Sequence, residues 1–161
     1  ATESLIETIR LSIPDIALRT TIIAGYPNET EKDFEELISF IKAVRFDRLG
    51  VFTYSQEDDT AAFDLGDPIS QDEKEARRAR IMDVQKEISC QRNEERIGKS
   101  VRAVVEKCEN GTFTGRTVWD APEIDNEIFL TPPQGRHLSV GEFVTVTVTD
   151  AAEYDLYGDV L

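Results

Sequence analysis

Two short stretches carry the residue types best suited to holding a ligand. Gly25-Tyr26-Pro27-Asn28 interrupts a β-branched run, Thr20 to Ile23, and Thr53-Tyr54-Ser55 ends a second apolar run that begins at Leu49. If both runs are parallel strands, these stretches lie at their C-terminal ends, where α/β sheets bind ligands, and a glycine there lets a ligand approach the backbone. Gly25 to Asn28 and Thr53 to Ser55 are therefore the rim where a ligand is to be sought. The plainer alternative makes Gly25 to Pro27 a tight turn and Tyr54 a core aromatic. The other reactive side chains point to no site. Cys90 and Cys108 lack CxxC spacing or a histidine partner, which makes them structural thiols rather than metal ligands. His137, the only histidine, stands in a segment of Gly, Pro and Gln and reads as a loop residue. Arg77, Arg78 and Arg80 alternate with Glu and Lys, the pattern of a salt-bridged, solvent-facing helix rather than a phosphate site. No catalytic residue and no metal site is assigned.

The elements that must position the rim follow from periodicity. Thr30 with Asp33 three residues on has the form of an N-terminal capping box, and Phe34, Leu37, Ile38, Ile41 and Val44 recur at helical spacing. Strand, helix and strand at these lengths make a βαβ unit. Before it, Ala1 to Ile13 reads as an amphipathic helix entered without a cap, as though cut from something longer. After it, 56–68 is an acidic irregular loop. Ser70 with Glu73 then caps a long helix that packs through Ile81, Val84 and Ile88, runs to about Ile97 and stops at Gly98. From Lys99 the period becomes alternating. Val101, Ala103 and Val105, the Asn110-Gly111 turn, Phe113 to Trp119, Glu127 to Thr131, Phe143 to Thr149 and Tyr154 to Val160 give five short strands, and closing them into a barrel hides their edges. Trp119 is expected to pack on that barrel. The expected division is an α/β part, 1–97, and an all-β part, 98–161, joined rigidly because Gly98 leaves little slack. Two parallel strands cannot close a barrel, so the first part is incomplete and its strand edges are expected to invite a second copy.

The 161 residues suffice for one domain or two small ones and carry a formal charge of -14. The acid is spread along the chain, with 21 acidic against 13 basic residues up to Ile97 and 11 against 5 from Gly98. Neither part has the basic footprint of a nucleic-acid binder. No apolar run approaches the ~20 residues that span a bilayer, and no signal peptide opens the chain. The cytoplasm is the expected compartment, with no membrane partner.

The residues also resemble a known family. Ala24-Gly25-Tyr26-Pro27-Asn28-Glu29-Thr30-Glu31-Lys32-Asp33-Phe34 is similar to the GFPGETEEDF signature of radical S-adenosylmethionine (SAM) methylthiotransferases. Asp47 to Ser55, Gly115-Arg116-Thr117, the Asp120 to Asp125 stretch and Glu153 to Gly158 resemble the branch that modifies a ribosomal protein, the RimO type. The resemblance covers essentially the whole chain, in order. It implies the C-terminal portion of a partial (β/α) radical SAM barrel, including the long connecting helix, followed by a TRAM domain, a five-stranded antiparallel OB-like barrel. It further implies that the full-length enzyme adds a methylthio group to an aspartate of a small-subunit ribosomal protein, using SAM and two 4Fe-4S clusters. No side-chain base removes a hydrogen from an unactivated C–H bond at a useful rate, so a 5′-deoxyadenosyl radical takes it and a second cluster delivers sulfur. The CxxxCxxC motif for the first cluster is not in this chain, which alone is expected to hold no cofactor and to be inactive. The residues matching the SAM wall are Gly25, Tyr26, Pro27, Thr53, Tyr54 and Ser55. Asn28 stands where the signature has a second glycine; asparagine tolerates positive φ and should keep the turn.

Charge then separates the possible functions. Ribosomal proteins neutralise RNA phosphates and are usually basic, so an acidic barrel complements them while repelling bare RNA. Asp120, Glu123, Asp125, Glu153 and Asp155 form the candidate partner-binding face; alternatively these carboxylates cap turns and solvate the surface. The competing function with the same chemistry is a tRNA adenosine methylthiotransferase of the MiaB type. Against it stand the few scattered bases of the barrel, Lys99, Arg102, Lys107, Arg116 and Arg136, which make no basic stripe. A third alternative, from another class, is a non-catalytic OB-like binding module.

Overall fold

β-branched residues favour extended backbone, and Arg19–Ala24 forms the first strand, β1. In the computed structural model, which describes residues 2–122 and 124–161, β1 follows helix α1, Thr2–Ser12, and pairs in parallel with β2, Arg48–Thr53. The register sets Ala24 beside Thr53. Between the strands lies α2, Glu31–Val44. Its first turn is closed by the capping box: the Asp33 N–H donates to the Thr30 hydroxyl at 3.2 Å, and the Thr30 N–H donates to the Asp33 carboxylate at 2.9 Å. Phe34, Ile38, Ile41 and Val44 of α2 are buried with Ala24, Leu49 and Val51 of the strands in one core. The two strands are buried on one face only. Ile23 and Phe52, neighbours in the register, are 53% and 65% exposed on the other.

The chain divides into two compact units between Ile88 and Ser89, within α3, Gln71–Glu94. In the first unit α3 adds Ile81 and Ile88 to the core, while Val84 lies at its margin. The same helix face carries Lys74, Arg77 and Gln85, all buried. The reading of Arg77 as a solvent-facing residue is thereby corrected: it is paired with carboxylates, but under cover, because it stands one turn before Ile81 on the packed side.

The alternation beyond Lys99 becomes β3, Ser100–Glu109, β4, Thr112–Thr117, β5, Ile128–Thr131, β6, Phe143–Ala151, and β7, Leu156–Val160. They close into a barrel in the order β3-β4-β5-β7-β6 around Val101, Val105, Ile128, Val146, Val148 and Leu156. Asn110 and Gly111 take φ of 51° and 81°, the left-handed pair that a two-residue hairpin turn demands. Trp119 packs on this core. The expectation of an antiparallel barrel is corrected, since β5 and β7 run parallel. A closed ring with an odd number of strands cannot alternate in direction all the way round, so a five-stranded closed barrel must contain a parallel pair. Within this unit the last turn of α3 is tied to the β6–β7 connection. Asn93, 1% exposed, donates from Nδ2 to the carbonyls of Ala152 and Tyr154, each at 3.1 Å. Among the described residues no helix is long and apolar enough to cross a membrane.

Candidate functional site

The chain leaves β1 through Gly25 and Asn28, at φ of 75° and 74°. Asparagine takes this left-handed geometry more readily than other residues with a side chain, so the turn survives the departure from the family's glycine. The strand ladder continues one step past β2, with the Tyr54 N–H donating to the Ala24 carbonyl at 2.9 Å. The space beside Gly25 is filled by Lys74, whose Cγ would stand 2.5 Å from a Cβ placed there. Lys74 is 2% exposed, and its Nζ donates to the Tyr54 carbonyl at 2.9 Å and to the Asp67 carboxylate at 2.6 Å. Such partners offset the cost of taking the Lys74 head group out of water.

The aromatic part of the rim is also anchored. Tyr54 meets Tyr26 edge-on at 5.4 Å and donates its hydroxyl to the Ala62 carbonyl at 3.3 Å. Burial, then the neighbouring Tyr26, Asp67 and Glu57, push the Tyr54 phenol up, so it remains a neutral donor. The Gly25 N–H donates to Glu29 at 3.2 Å, and Glu29 in turn holds Arg77, which also donates to Glu73 at 2.8 Å. Burial works against the charge on Arg77, yet its hydrogen bonds to Glu29 and Glu73 outweigh it and raise its pKa above the ordinary arginine value.

The six rim residues matching the SAM wall thus divide into two groups. Gly25, Pro27 and Tyr54 are buried, whereas Tyr26 and Ser55 are exposed and Thr53 is half-buried. The three accessible residues all carry hydroxyls, which can donate to and accept from the ribose or amino-acid end of SAM, and to that extent the rim fits the cofactor. Gly25 fits for a different reason than the one its sequence suggests: the room it leaves is taken by the Lys74 stem. Lys74, Arg77, Glu29 and Asp67, which fix the rim, escape a reading that looks for apolar helix faces. Their signal was the spacing of Lys74 and Arg77, seven and four residues before Ile81. Among the described residues no three His, Cys, Asp or Glu side chains meet as a metal site, and neither Cys90 nor Cys108 forms a disulfide.

The acidic residues of the barrel are organised chiefly by its turns. Asp120 is 8% exposed, and its carboxylate accepts the Thr117 hydroxyl at 2.5 Å and the Thr117 N–H at 3.3 Å, which withdraws it from any docking face. Asp125 accepts the Ala121 N–H at 2.7 Å and Asp155 accepts the Glu127 N–H at 3.0 Å, both half-buried. The last bond, with the pairing of Ile128 and Leu156, brings the Asp125 and Asp155 segments to one end of the barrel. Glu153 is exposed there, while Glu123 lies outside the described residues. Four of the barrel's five basic side chains, all but Lys99, are engaged as well. Lys107 contacts Glu127 and Arg116 contacts Glu106, each at 2.6 Å, and Arg136 contacts Glu142 at 2.9 Å. The hydrogen bond to Glu127 holds the Lys107 pKa above its ordinary value. Arg102 lies 4.5 Å over the Phe143 ring and Arg96 4.1 Å over Trp119. His137 meets Phe113 edge-on at 5.4 Å from its loop.

A strand-helix-strand segment with a hydroxyl-bearing rim, followed in the chain by a small closed barrel of paired charges, defines a class that sequence comparison narrows. Residues 97–161 match the TRAM domain family. Over 160 residues, 99% of its length, the chain is 48% identical to the ribosomal protein uS12 methylthiotransferase RimO of Cytophaga hutchinsonii. It is 48% identical over 157 residues to that of Clostridioides difficile and 42% identical over 158 residues to that of Flavobacterium psychrophilum. Over nearly its whole length the chain is similar to RimO-type methylthiotransferases, and it spans 35–36% of the length of these curated relatives.

Proposed function

We infer that this chain is the C-terminal part of a radical SAM methylthiotransferase that modifies an aspartate of ribosomal protein uS12, the protein named in its relatives. The identity along nearly the whole chain supports the enzyme class. The observation that carries the choice of a protein over an RNA substrate is the state of the barrel's cations. Four of its five cations, Arg102, Lys107, Arg116 and Arg136, already hold an aromatic or carboxylate partner, which leaves Lys99 and no basic stripe for RNA phosphates. The exposed pair Ile23 and Phe52 supports the reading of the first unit as a segment of a larger (β/α) barrel, whose further strands would cover that face.

On this reading bound SAM supplies the radical chemistry needed at an unactivated C–H bond. Tyr26, Thr53 and Ser55 would hydrogen-bond its polar groups, while Gly25, Pro27 and Tyr54 hold the rim in shape over Lys74 and Arg77. The 4Fe-4S clusters sit on cysteines outside this chain, and the chain by itself is inactive. Residues 98–161 form the substrate-docking domain, with Asp125, Glu153 and Asp155 on its acidic side, and the enzyme works in the cytoplasm. The test is mass spectrometry of purified uS12 after incubation with the reconstituted full-length protein, SAM, a reductant and a sulfur source. One methylthio group on an aspartate is the expected product. Unmodified uS12 beside a methylthiolated tRNA adenosine would establish the MiaB-type alternative.

A further inference from the structure

The barrel carries a groove of about 620 Å³ that the candidate residues above touch only at Asp125. One wall is an irregularity in β3. Val105 pairs with Gly115 and Lys107 with Thr114, so Glu106 is an extra residue in the ladder, and such a bulge turns its neighbours away from the sheet. The opposite wall is formed by Ala121, Pro122 and Asp125 to Glu127. Val104 and Val140 line the groove between them, and the 140–142 loop is fastened to β3 by the Gly141 N–H donating to the Val105 carbonyl at 2.8 Å and the Val105 N–H donating to the Glu142 carbonyl at 2.9 Å. The 140–142 loop is thus held to β3 by the backbone, and the facing segment by the Asp125 and Asp155 carboxylates, which accept the Ala121 and Glu127 N–H groups.

Two features of the lining select its occupant. The Asn126 Nδ2 is buried, lines the groove and has no hydrogen-bond partner, a costly state for an amide donor that a ligand acceptor would relieve. Charge supplies the second. Glu106, Asp125 and Glu127 stand against Lys107 and Arg116, and both cations are already paired at 2.6 Å, so the groove has net negative charge and no cation to spare for a phosphate. We propose that this groove between the β3 bulge and the 125–127 segment binds an extended peptide segment carrying a lysine or arginine. A peptide group on that segment satisfies Asn126, and its aliphatic stem lies on Val104 and Val140 with the charge toward the carboxylates. A peptide group offers both an acceptor and a donor, so it satisfies the amide in either orientation of its oxygen and nitrogen. The proposal deepens the substrate-docking reading and rests on it for the identity of the segment, which would belong to uS12.

The test uses the 161-residue chain, isotopically labelled, with amide shifts followed by NMR during titration with purified uS12. Parallel titrations use short tiled uS12 peptides, unrelated peptides of equal lysine and arginine content, and an RNA oligonucleotide. The expected result is that uS12 and a subset of its peptides move the resonances of Val104 to Lys107, Asn126 and Val140 to Gly141. Asn126→Leu, which keeps the volume and removes the donor, should weaken binding about 3- to 10-fold, the worth of one hydrogen bond. Val140→Lys, at a side chain 64% exposed and therefore without consequence for folding, should weaken it at least comparably by adding positive charge. If unrelated basic peptides occupy the groove and uS12 does not, the groove stands and the substrate reading falls. If uS12 binds while these resonances stay still, or binds both variants as tightly as the parent, the groove proposal falls and the substrate reading stands. RNA moving the same resonances, or no peptide binding at all, overturns the groove proposal.

Discussion

Asn93 is the side chain whose loss should cost the barrel unit most for its size. It is 1% exposed, donates two hydrogen bonds of 3.1 Å to the Ala152 and Tyr154 carbonyls, and accepts one of 3.1 Å from Arg96, the residue stacked on Trp119. At a net value of about 1 kcal/mol for each bond, with the site closed to replacement water, Asn93→Ala should destabilise the unit by about 3 kcal/mol. For a unit of this size that corresponds to a drop of about 12–24 °C in its unfolding midpoint. Asn93→Asp keeps the acceptor for Arg96 but turns a carboxylate oxygen toward two carbonyls, so it should be at least as damaging at neutral pH. Its buried carboxyl would have a folded pKa above the unfolded value. The lost stability should therefore return in part as pH falls through the folded pKa, when the protonated oxygen again donates. Trp119 is the only tryptophan and lies in this unit, so its fluorescence during denaturant titration reports the transition directly. A loss below about 1 kcal/mol for Asn93→Ala, or parental stability of Asn93→Asp at pH 7, would refute the assignment of these bonds as a clamp on the β6–β7 connection.

Gly115→Ala would set a Cβ 2.1 Å from the Val104 carbonyl oxygen, a backbone atom that cannot step aside, and should cost about 3 kcal/mol or more in barrel stability by chemical denaturation. Gly25→Ala meets the flexible Lys74 stem instead, at 2.5 Å, but keeps a φ of 75°; a loss of about 1–3 kcal/mol in the first unit, read by far-UV circular dichroism, is expected. The Asp33 carboxyl is held below its ordinary value of 3.8, first by the Thr30 hydroxyl and then by the Thr30 N–H. A depressed carboxyl contributes stability above its unfolded pKa and loses it as pH falls through the folded one, so acid should loosen α2 and Asp33→Asn should flatten that dependence in a helix-content titration.

Much of this was written locally. The Thr30/Asp33 box, the Asn110-Gly111 turn and the alternation of Val101, Ala103 and Val105 each express a short-range rule, and the structure obeys them. The parallel β5–β7 pair was also within reach, since five strands and closure together require it. What escaped depends on contacts between distant parts of the chain. Lys74, Gln85 and Asn93 look like solvent residues until Tyr54, Phe46 and Ala152 supply the carbonyls that make their burial tolerable. Likewise Asp120 reads as surface charge until Thr117 folds back onto it. At the rim, the sequence marks Gly25 as a place of close approach without saying that a lysine stem makes the approach.

The closing order of the barrel has a bearing on how it is made. β7 follows every other strand in the chain, yet it sits between β5 and β6. While the chain is being synthesised, β3 to β6 can join only as an open ribbon whose two ends, β5 and β6, each expose an unpaired row of amides and carbonyls. Those rows stay available to other chains until Val160 has been added and the last strand slots into the gap. Losing as little as Leu156–Val160 would leave both edges open at once. For this barrel a stop codon before Leu156 is therefore an aggregation mutation rather than a trimming.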